Sequence, residues 1–322
     1  MARRPRPACP VPPRQGISPT RIRLPADQRW PTLAAFLTER FPPHDASAVH
    51  ASFERGDVFG PDAAPLTPSA PYAPGGHIWV FRPLPEEPAV PTDLPILYED
   101  DHLLAVDKPH GLPVTPRGGF VRQTVTTLLR HRTGNPEISP AHRLDRMTAG
   151  VLLLTKTRPA RGPVQQLFAQ GRIRKTYRLI APLGPALLTE PITLSSRIIK
   201  PAESLRACDV PGVPNARTDV VLLTVLDERC GLYEAHLHTG RTHQIRVHLN
   251  SLGRPILGDP LYPSTRTDAE QAALPPLQLL AHRLALTHPL TAAPLDLHTG
   301  RTLEYGLPGG ARGPHRPSAP AT

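Results

Sequence analysis

In the middle of the chain, residues 141–156 read Ala-His-Arg-Leu-Asp-Arg-Met-Thr-Ala-Gly-Val-Leu-Leu-Leu-Thr-Lys. The apolar run at 151–154 ends in polar residues, which predicts a short strand buried on both faces. Just before this run, Asp145 stands between Arg143 and Arg146. A carboxylate close to cations tends to stay ionised, and an ionised carboxylate can act as a nucleophile or a base. The same pattern also fits a structural ion pair, so the rest of the chain has to distinguish the two.

A second candidate element, residues 172–180, alternates basic and less polar residues and predicts another strand. Alternation places the side chains of Lys175 and Tyr177 on one face of that strand. A tyrosine there fits an ordinary core, but an aromatic ring among cations also suits stacking on a nucleic-acid base.

The densest basic motif, at 239–249, reads Thr-Gly-Arg-Thr-His-Gln-Ile-Arg-Val-His-Leu. It follows a predicted hairpin, and Thr242 is expected to cap a helix that ends at Gly253. His243 and Arg246 then share the polar face of this helix. That face suits either solvent or contacts to phosphates and bases.

Other patterns outline the elements around these motifs. They predict a hairpin at 96–106, a helix at 124–131, a helix ending at Gly171 and a strand within 277–289. Lys108 begins a loop rich in proline and glycine, where it is either solvated or placed over a site.

Composition limits the classes of protein that the chain can represent. Its 322 residues include 37 Lys and Arg against 27 Asp and Glu, a formal charge of +10 that favours a polyanionic partner such as nucleic acid or an anionic membrane surface. The sequence has no apolar run of the ~18 residues that span a bilayer and no signal-peptide pattern. The chain has three cysteines, Cys9, Cys208 and Cys230, and their spacing is not that of metal ligands. They predict a reduced cytoplasmic protein with no structural zinc.

Several motifs stand together in the order of one known family. They are His142-Arg143-Leu144-Asp145-Arg146, Lys175-Thr176-Tyr177, Gly240 to His248, Gly258-Asp259-Pro260-Leu261-Tyr262, and His282 with His288-Pro289. Over residues 96–307 the chain therefore resembles the RluA-type pseudouridine synthases. One departure is Ala149, where the family often has serine.

The resemblance implies a fold, an activity and a set of site residues. The fold is α+β, a mixed and mainly antiparallel sheet flanked by helices, and the activity is isomerisation of a flipped-out uridine to pseudouridine in tRNA or rRNA. The implied catalytic residues are Asp145, Tyr177 and Arg246. The candidate substrate-binding residues are His142, Arg143, Arg146, Lys175, Arg241, His243 and Gln244. The partner is RNA, and we expect no metal, organic cofactor, membrane or protein partner, and a cytoplasmic monomer.

The ends of the chain are expected to be different. Residues 1–20 and 308–322 are rich in proline and predict disordered tails. Residues 21–82 resemble the small RNA-binding module found at the front of many pseudouridine synthases. Because basic residues are sparse in the expected helices, a degenerate or purely structural copy of this module is the alternative. A proline-rich linker at 83–95 would join this module to the catalytic domain at 96–307.

Two other classes compete with this interpretation. A nucleoside or glycoside hydrolase also cleaves a glycosidic bond, but most glycosidases use two carboxylates, whereas these motifs centre on Asp145. A non-catalytic RNA-binding protein that keeps the fold would need only the cations. Retention of Asp145, Tyr177 and Arg246 together favours an enzyme.

Overall fold

The computed structural model describes residues 9–40, 46–84 and 86–304. In chain order, the elements of these residues are β1 (Thr20–Arg23), α1 (Leu33–Arg40), α2 (Ala46–Glu54), β2 (Val58–Phe59), β3 (His77–Val80), β4 (Ile96–Glu99), β5 (Leu103–Lys108), α3 (Val125–Thr133), β6 (Ser139–Pro140), β7 (Ala149–Thr155), α4 (Arg158–Ala169), β8 (Arg174–Pro182), β9 (Ile192–Ile199), β10 (Cys208–Val210), β11 (Ala216–Val225), β12 (Cys230–Leu237), α5 (Gln244–Ser251), α6 (Asp268–Ala272), β13 (Leu279–Thr287) and β14 (Pro294–His298).

Strands β4 to β14 form one sheet, in the order β10-β9-β11-β12-β8-β13-β7-β5-β4, with β14 paired to β13 and β6 paired to β7. Among these described strands, only β7 and β13 run parallel, and the other neighbours are antiparallel. The predicted α+β fold with a mixed, mainly antiparallel sheet is therefore confirmed. The predicted hairpins correspond to β4–β5 and β11–β12.

Strand β7 is buried along its whole length, as its apolar run predicts. Val151 and Leu153 pack with α4, whose Val164 and Leu167 belong to the same core cluster. Helix α4 ends before Gly171, which has a φ of +67° and so turns the chain in the left-handed conformation that glycine favours. This packing fixes the strand that follows Asp145.

The start of α5 differs from the prediction that Thr242 caps it. The helix begins at Gln244, and the cap position is His243 with a φ of 57°. The side chain of Gln244 closes this loop instead, because its Oε1 accepts the backbone N–H of Arg241 at 3.0 Å. The predicted polar face is also buried, with Arg246 only 3% exposed.

The chain divides into two units, and the first contains the described residues up to Glu87 together with Gly118–Arg122 and Thr127–Pro136. Its sheet has the order β1-β3-β2, and its core includes Phe36 from α1. Residues 9–20, which the composition predicts to be disordered, make defined contacts here, including an ion pair of Arg14 with Asp57 at 2.6 Å. Residues 1–8 and 308–322 of the expected tails lie outside the described residues.

The second unit contains the large sheet and begins at Pro88. Part of the expected linker at 83–95 thus belongs to it, and Leu94 is only 2% exposed. The carbonyl of Pro95 accepts the backbone N–H of Asp107 at 2.9 Å, which holds this segment against β5. None of the helices in the described part of the chain has the length and apolar character needed to cross a membrane.

Candidate active site

Three segments of the second unit meet around a cavity of about 300 Å³. They are the turn before β7, the first half of β8, and the loop between β12 and α5. All predicted site residues except Arg146 line this cavity, namely Asp145, Tyr177, Arg246, His142, Arg143, Lys175, Arg241, His243 and Gln244. A cavity of this size lies at the lower end of the range that holds small molecules.

Asp145 meets its cation across the cavity. Arg246 Nη1 lies 3.5 Å from Asp145 Oδ2, although the two residues are 101 positions apart. The rest of the guanidinium is held by Asp259, with Nε 2.8 Å from Oδ2 and Nη2 2.7 Å from Oδ1. Burial lowers the pKa of Arg246, but its hydrogen bonds with Asp259 and the charge of Asp259 outweigh burial and raise it. Arg246 is therefore a fixed cation with one N–H group directed at Asp145.

The arginines next to Asp145 in sequence occupy different places. Arg143 and Arg146 are both exposed, whereas Leu144, which lies between Arg143 and Asp145, is buried. The backbone turns here, since Thr148 donates its N–H to the carbonyl of Asp145 at 3.0 Å. Because a turn sends successive side chains in different directions, sequence neighbours of Asp145 do not predict its partner.

Lys108 has a role that the sequence left open. Its side chain is fully buried at the end of β5, and its Nζ donates to the carbonyls of Pro109, Leu112 and Arg146 at 3.0, 2.8 and 3.0 Å. Burial lowers the pKa of Lys108 to about 7, against the opposing effect of the Asp145 charge. Lys108 is thus not over the cavity but joins its own loop to the turn that carries Asp145.

Tyr177 and Lys175 lie on the face of β8 that lines the cavity, as the alternation predicts. The cross-strand neighbours of Tyr177 are Ala235 and Ala281, which both have small side chains. Burial and then the Asp145 charge raise the pKa of Tyr177, so its hydroxyl stays protonated. Lys175 donates to the carbonyl of Thr239 at 2.9 Å, which ties β8 to the loop before α5.

Two predicted substrate-binding residues use their polar atoms within the protein. His142 Nε2 accepts the backbone N–H of Leu153 at 3.1 Å, and burial and the nearby Lys175 lower the pKa of His142 to about 4. Gln244 donates to Arg217 O at 3.0 Å and to Thr218 Oγ1 at 2.8 Å. These two side chains shape the wall of the cavity.

The cavity rim is basic on two sides. Arg143 and Arg241 are both exposed. Arg241 also donates from Nε to the carbonyl of Asn215 at 3.0 Å, which fixes its stem while its charge faces solvent. Such a rim suits contacts to phosphates.

Sequence reasoning did not select Asp259 and Tyr262 as site residues. Both belong to the motif at 258–262, which was among the signals of family resemblance. The sequence of this loop does not indicate the partners of its acid and its tyrosine, which are Arg246 and His243 respectively. In the part of the chain that the structure describes, no three His, Cys, Asp or Glu side chains are grouped as ligands for a metal ion.

The site combines a carboxylate paired with a fixed guanidinium, a tyrosine ring and a basic rim. These features suit an enzyme that acts on a nucleic acid, because the basic rim suits phosphates and the aromatic ring suits a base.

Comparison with known proteins makes the class specific. The RNA pseudouridylate synthase family model matches residues 102–251. An uncharacterized RNA pseudouridine synthase of Synechocystis sp. is 36% identical over 231 residues, which are 70% of this chain and 78% of that protein. Ribosomal large subunit pseudouridine synthase D of Xylella fastidiosa is 32% identical over 282 residues, which are 82% of this chain and 83% of that protein.

A solved structure shares the fold. Human RNA Pseudouridylate Synthase Domain Containing 1 has a TM-score of 0.54 and 24% sequence identity, over 67% of this chain and 86% of that chain. The chain belongs to the RluA-type RNA pseudouridine synthases, which are isomerases that act on RNA.

Proposed function

We propose that this enzyme isomerises a flipped-out uridine of tRNA or rRNA, with Asp145 as the nucleophile or base. The observation that carries the proposal is the pair of Asp145 Oδ2 and Arg246 Nη1 at 3.5 Å inside a cavity that Tyr177 also lines. A buried carboxylate without a cation tends to take up a proton and lose its nucleophilicity. Arg246 therefore supplies a fixed positive charge beside the reacting carboxylate.

The other residues bind and orient the nucleotide. The uracil lies against Tyr177, which lines the cavity and has two small cross-strand neighbours, Ala235 and Ala281. Taking a base out of its stack costs a few kcal/mol. The exposed Arg143 at the rim offsets part of this cost by replacing the base in the helix or by holding its phosphate.

Asp145 has three possible actions in this site. It attacks the ribose, adds to the uracil ring, or moves a proton. In each case the carboxylate acts close to the bond between C1′ and N1. This bond breaks, C5 of the uracil bonds to C1′, C5 loses its proton and N1 takes one up, so the product is an isomer of the substrate. No step requires a metal or an organic cofactor.

The RNA is proposed to be ribosomal or transfer RNA. The name of the Xylella fastidiosa relative refers to the large ribosomal subunit, which supports the ribosomal alternative. We further propose a cytoplasmic monomer that binds RNA without a protein partner. The free thiols of Cys9, Cys208 and Cys230 agree with a reducing compartment.

Mapping pseudouridines in cellular RNA tests this function. In cells that lack the protein, we expect one or a few pseudouridines to disappear from rRNA or tRNA and to return with the wild-type chain. The Asp145→Asn variant should not restore them, although it should still bind RNA, because amide and carboxylate are nearly the same size. Restoration by Asp145→Asn in these cells, or turnover by purified Asp145→Asn that is free of wild type, would refute the role of Asp145. Free uracil as the product of the purified wild-type enzyme would favour a hydrolase.

A further inference from the structure

The contacts of His243 determine which of its ring nitrogens carries the proton. Its Nδ1 lies 3.1 Å from the hydroxyl oxygen of Tyr262. The same hydroxyl lies 2.7 Å from the carbonyl oxygen of Ala207, which can only accept and therefore takes the tyrosine proton. The Tyr262 oxygen then accepts from His243, so Nδ1 carries the proton and Nε2 of the neutral ring carries the lone pair.

This lone pair faces the cavity next to the proposed reacting group. His243 Nε2 lies 3.9 Å from Asp145 Oδ2, and only 10% of the histidine side chain is exposed. Burial lowers the pKa of His243 to about 4, even though the Asp145 charge acts in the opposite direction, so the ring is neutral near pH 7. Two acceptors cannot hydrogen-bond to each other, and Nε2 is therefore available to a donor on the bound nucleotide.

The ring is also held in place. His243 and Tyr262 make an edge-to-face contact, with ring centroids 5.8 Å apart and planes at 87°. The backbone of His243 has a φ of 57°, a conformation that residues other than glycine rarely adopt unless the surrounding structure holds them. Nε2 is thus a preorganised acceptor rather than the end of a mobile side chain.

The chemistry of uridine identifies the donor. A carboxylate that acts near C1′ lies beside the ribose, and the 2′-hydroxyl is attached to the carbon next to C1′. The other donor of a uridine within an RNA chain near neutral pH is the uracil N3–H, which is separated from C1′ by N1 and C2 and points away from the ribose. A donor close to both Asp145 and His243 is therefore the 2′-hydroxyl.

We propose that Nε2 of His243 accepts a hydrogen bond from the 2′-hydroxyl of the target uridine and that His243 is the residue by which this site selects ribose. The inference rests on the proposed role of Asp145 and deepens it. The hydrogen bond fixes the ribose relative to the carboxylate. A buried acceptor that is left unpaired also rejects the analogue without the hydroxyl, as in other sites built to bind a hydroxyl group.

The test uses a synthetic RNA stem-loop that contains the uridine identified by mapping. Three versions carry ribose, 2′-deoxyribose or 2′-fluororibose at that one nucleotide. The 2′-fluoro version keeps the sugar pucker of RNA but cannot donate a hydrogen bond, so it separates loss of the donor from a change in sugar shape. Fluorine also withdraws electrons from the C1′–N1 bond, but this effect is common to all enzyme variants and cancels when their ribose-to-fluoro ratios are compared. With wild-type enzyme we expect kcat/KM to fall about tenfold or more for both analogues.

Two variants at position 243 complete the test. His243→Met has no acceptor of this kind, so its ratio of kcat/KM for ribose over 2′-fluoro RNA should be about tenfold smaller than the wild-type ratio. His243→Gln can place an amide oxygen near the position of Nε2, so it should keep part of the discrimination. Circular dichroism and thermal melting establish that each variant is folded.

The outcomes separate this inference from the proposed function. Equal conversion of ribose and 2′-fluoro RNA by the wild-type enzyme would overturn it, and this comparison stands even if a variant fails to fold. Full discrimination by a folded His243→Met would also overturn it. Failure of the wild-type enzyme to convert the ribose stem-loop would instead refute the proposed substrate, and the inference with it.

Discussion

Asp259 determines how Arg246 meets Asp145. Its carboxylate has no exposed surface, and it binds two nitrogens of the Arg246 guanidinium while also accepting the backbone N–H groups of Leu261 and Tyr262. The same carboxylate therefore orients the arginine and folds the loop that carries Tyr262. A buried charge pair of this kind is sensitive to the loss of either partner.

We predict that Asp259→Asn lowers both stability and turnover. Removing the charge leaves Arg246 buried with one fewer anion, and breaking a buried pair costs about 3–5 kcal/mol of unfolding free energy. A displaced Arg246 should also reduce kcat on the order of 10²-fold, because small misplacements at a reacting centre have large effects. Urea denaturation and single-turnover assays measure the two effects.

The matched control is Asp296→Asn. Asp296 also binds an arginine through two nitrogens, but this pair with Arg283 is exposed, with distances of 2.6 and 2.7 Å. Exposed pairs contribute only about 0–1 kcal/mol, so stability and activity should barely change. Equal effects of the two substitutions would contradict the role assigned to Asp259.

Lys108 makes stability depend on pH in a defined direction. Its pKa is lowered from 10.5 to about 7 in the folded chain, chiefly by burial. Between these two values the unfolded chain binds more protons at this residue than the folded chain does, so this group makes stability rise with pH. Its unfavourable contribution is fully present below about pH 7 and is gone above the unfolded pKa.

We therefore predict that wild type gains stability relative to Lys108→Met as pH rises from 7 towards 10. The difference in unfolding free energy should grow by at most about 1.4 kcal/mol per pH unit. Other titrating groups are common to both chains and cancel in the comparison. Urea denaturation across this range measures the difference, and parallel stability curves for the two proteins would show that Lys108 stays charged throughout.

At the scale of elements, the site depends on the close approach of β7 and β13. Gly150 in β7 has a φ of +108°, and a Cβ atom there would lie 2.3 Å from the carbonyl oxygen of Ala281. Gly150 pairs with Ala281 in the parallel register of the two strands. Only glycine allows this approach, which places β13 between β7 with its preceding turn and β8 with Tyr177.

Gly150→Ala is predicted to destabilise the chain by about 2–5 kcal/mol, because it adds both a backbone penalty and an overpacked contact. Gly134→Ala is the matched control, since Gly134 has a φ of +67° but open space around its Cβ position. That substitution should cost only the backbone penalty of about 1–2 kcal/mol. Thermal melting measures the loss of stability in each variant. Similar losses in Gly150→Ala and Gly134→Ala would mean that β7 and β13 can move apart to accept the added methyl group at no cost in stability.

At the scale of the whole molecule, a formal charge of +10 favours binding to a polyanion. This attraction weakens as the salt concentration rises. In the first unit, β1 contributes the exposed side chains Arg21 and Arg23, which extend from the same face of the strand. This pair supports the expectation that residues 21–82 act on RNA affinity rather than on chemistry.

Replacing Arg21 and Arg23 together by glutamine should weaken RNA binding and reduce the slope of log K against log salt by up to about 2, one for each lost phosphate contact. The rate constant under saturating enzyme should not change, because neither residue lines the cavity. Arg158→Gln is the control, as Arg158 is exposed and paired with Glu137 in the second unit. An unchanged salt slope in the double variant would leave the first unit with a purely structural role.

The sequence alone determined the elements whose causes are local. The apolar run at 151–154 became the buried strand β7, α4 ended before Gly171, and the hairpins β4–β5 and β11–β12 formed where turn residues separate alternating runs. The ordered motifs also indicated the family. Periodicity, turn chemistry and short motifs are properties of neighbouring residues, so they can be read without a fold.

Only the tertiary structure decided which groups meet at the site. Asp145 pairs with Arg246 from α5, 101 positions along the chain, Lys108 is buried beneath the Asp145 turn, and His243 rather than Thr242 occupies the cap of α5. These contacts exist because β13, close to the end of the chain, inserts between β7 and β8. The partner of a charged side chain is set by which strands become neighbours in the sheet, and that order is a property of the whole chain rather than of any local pattern.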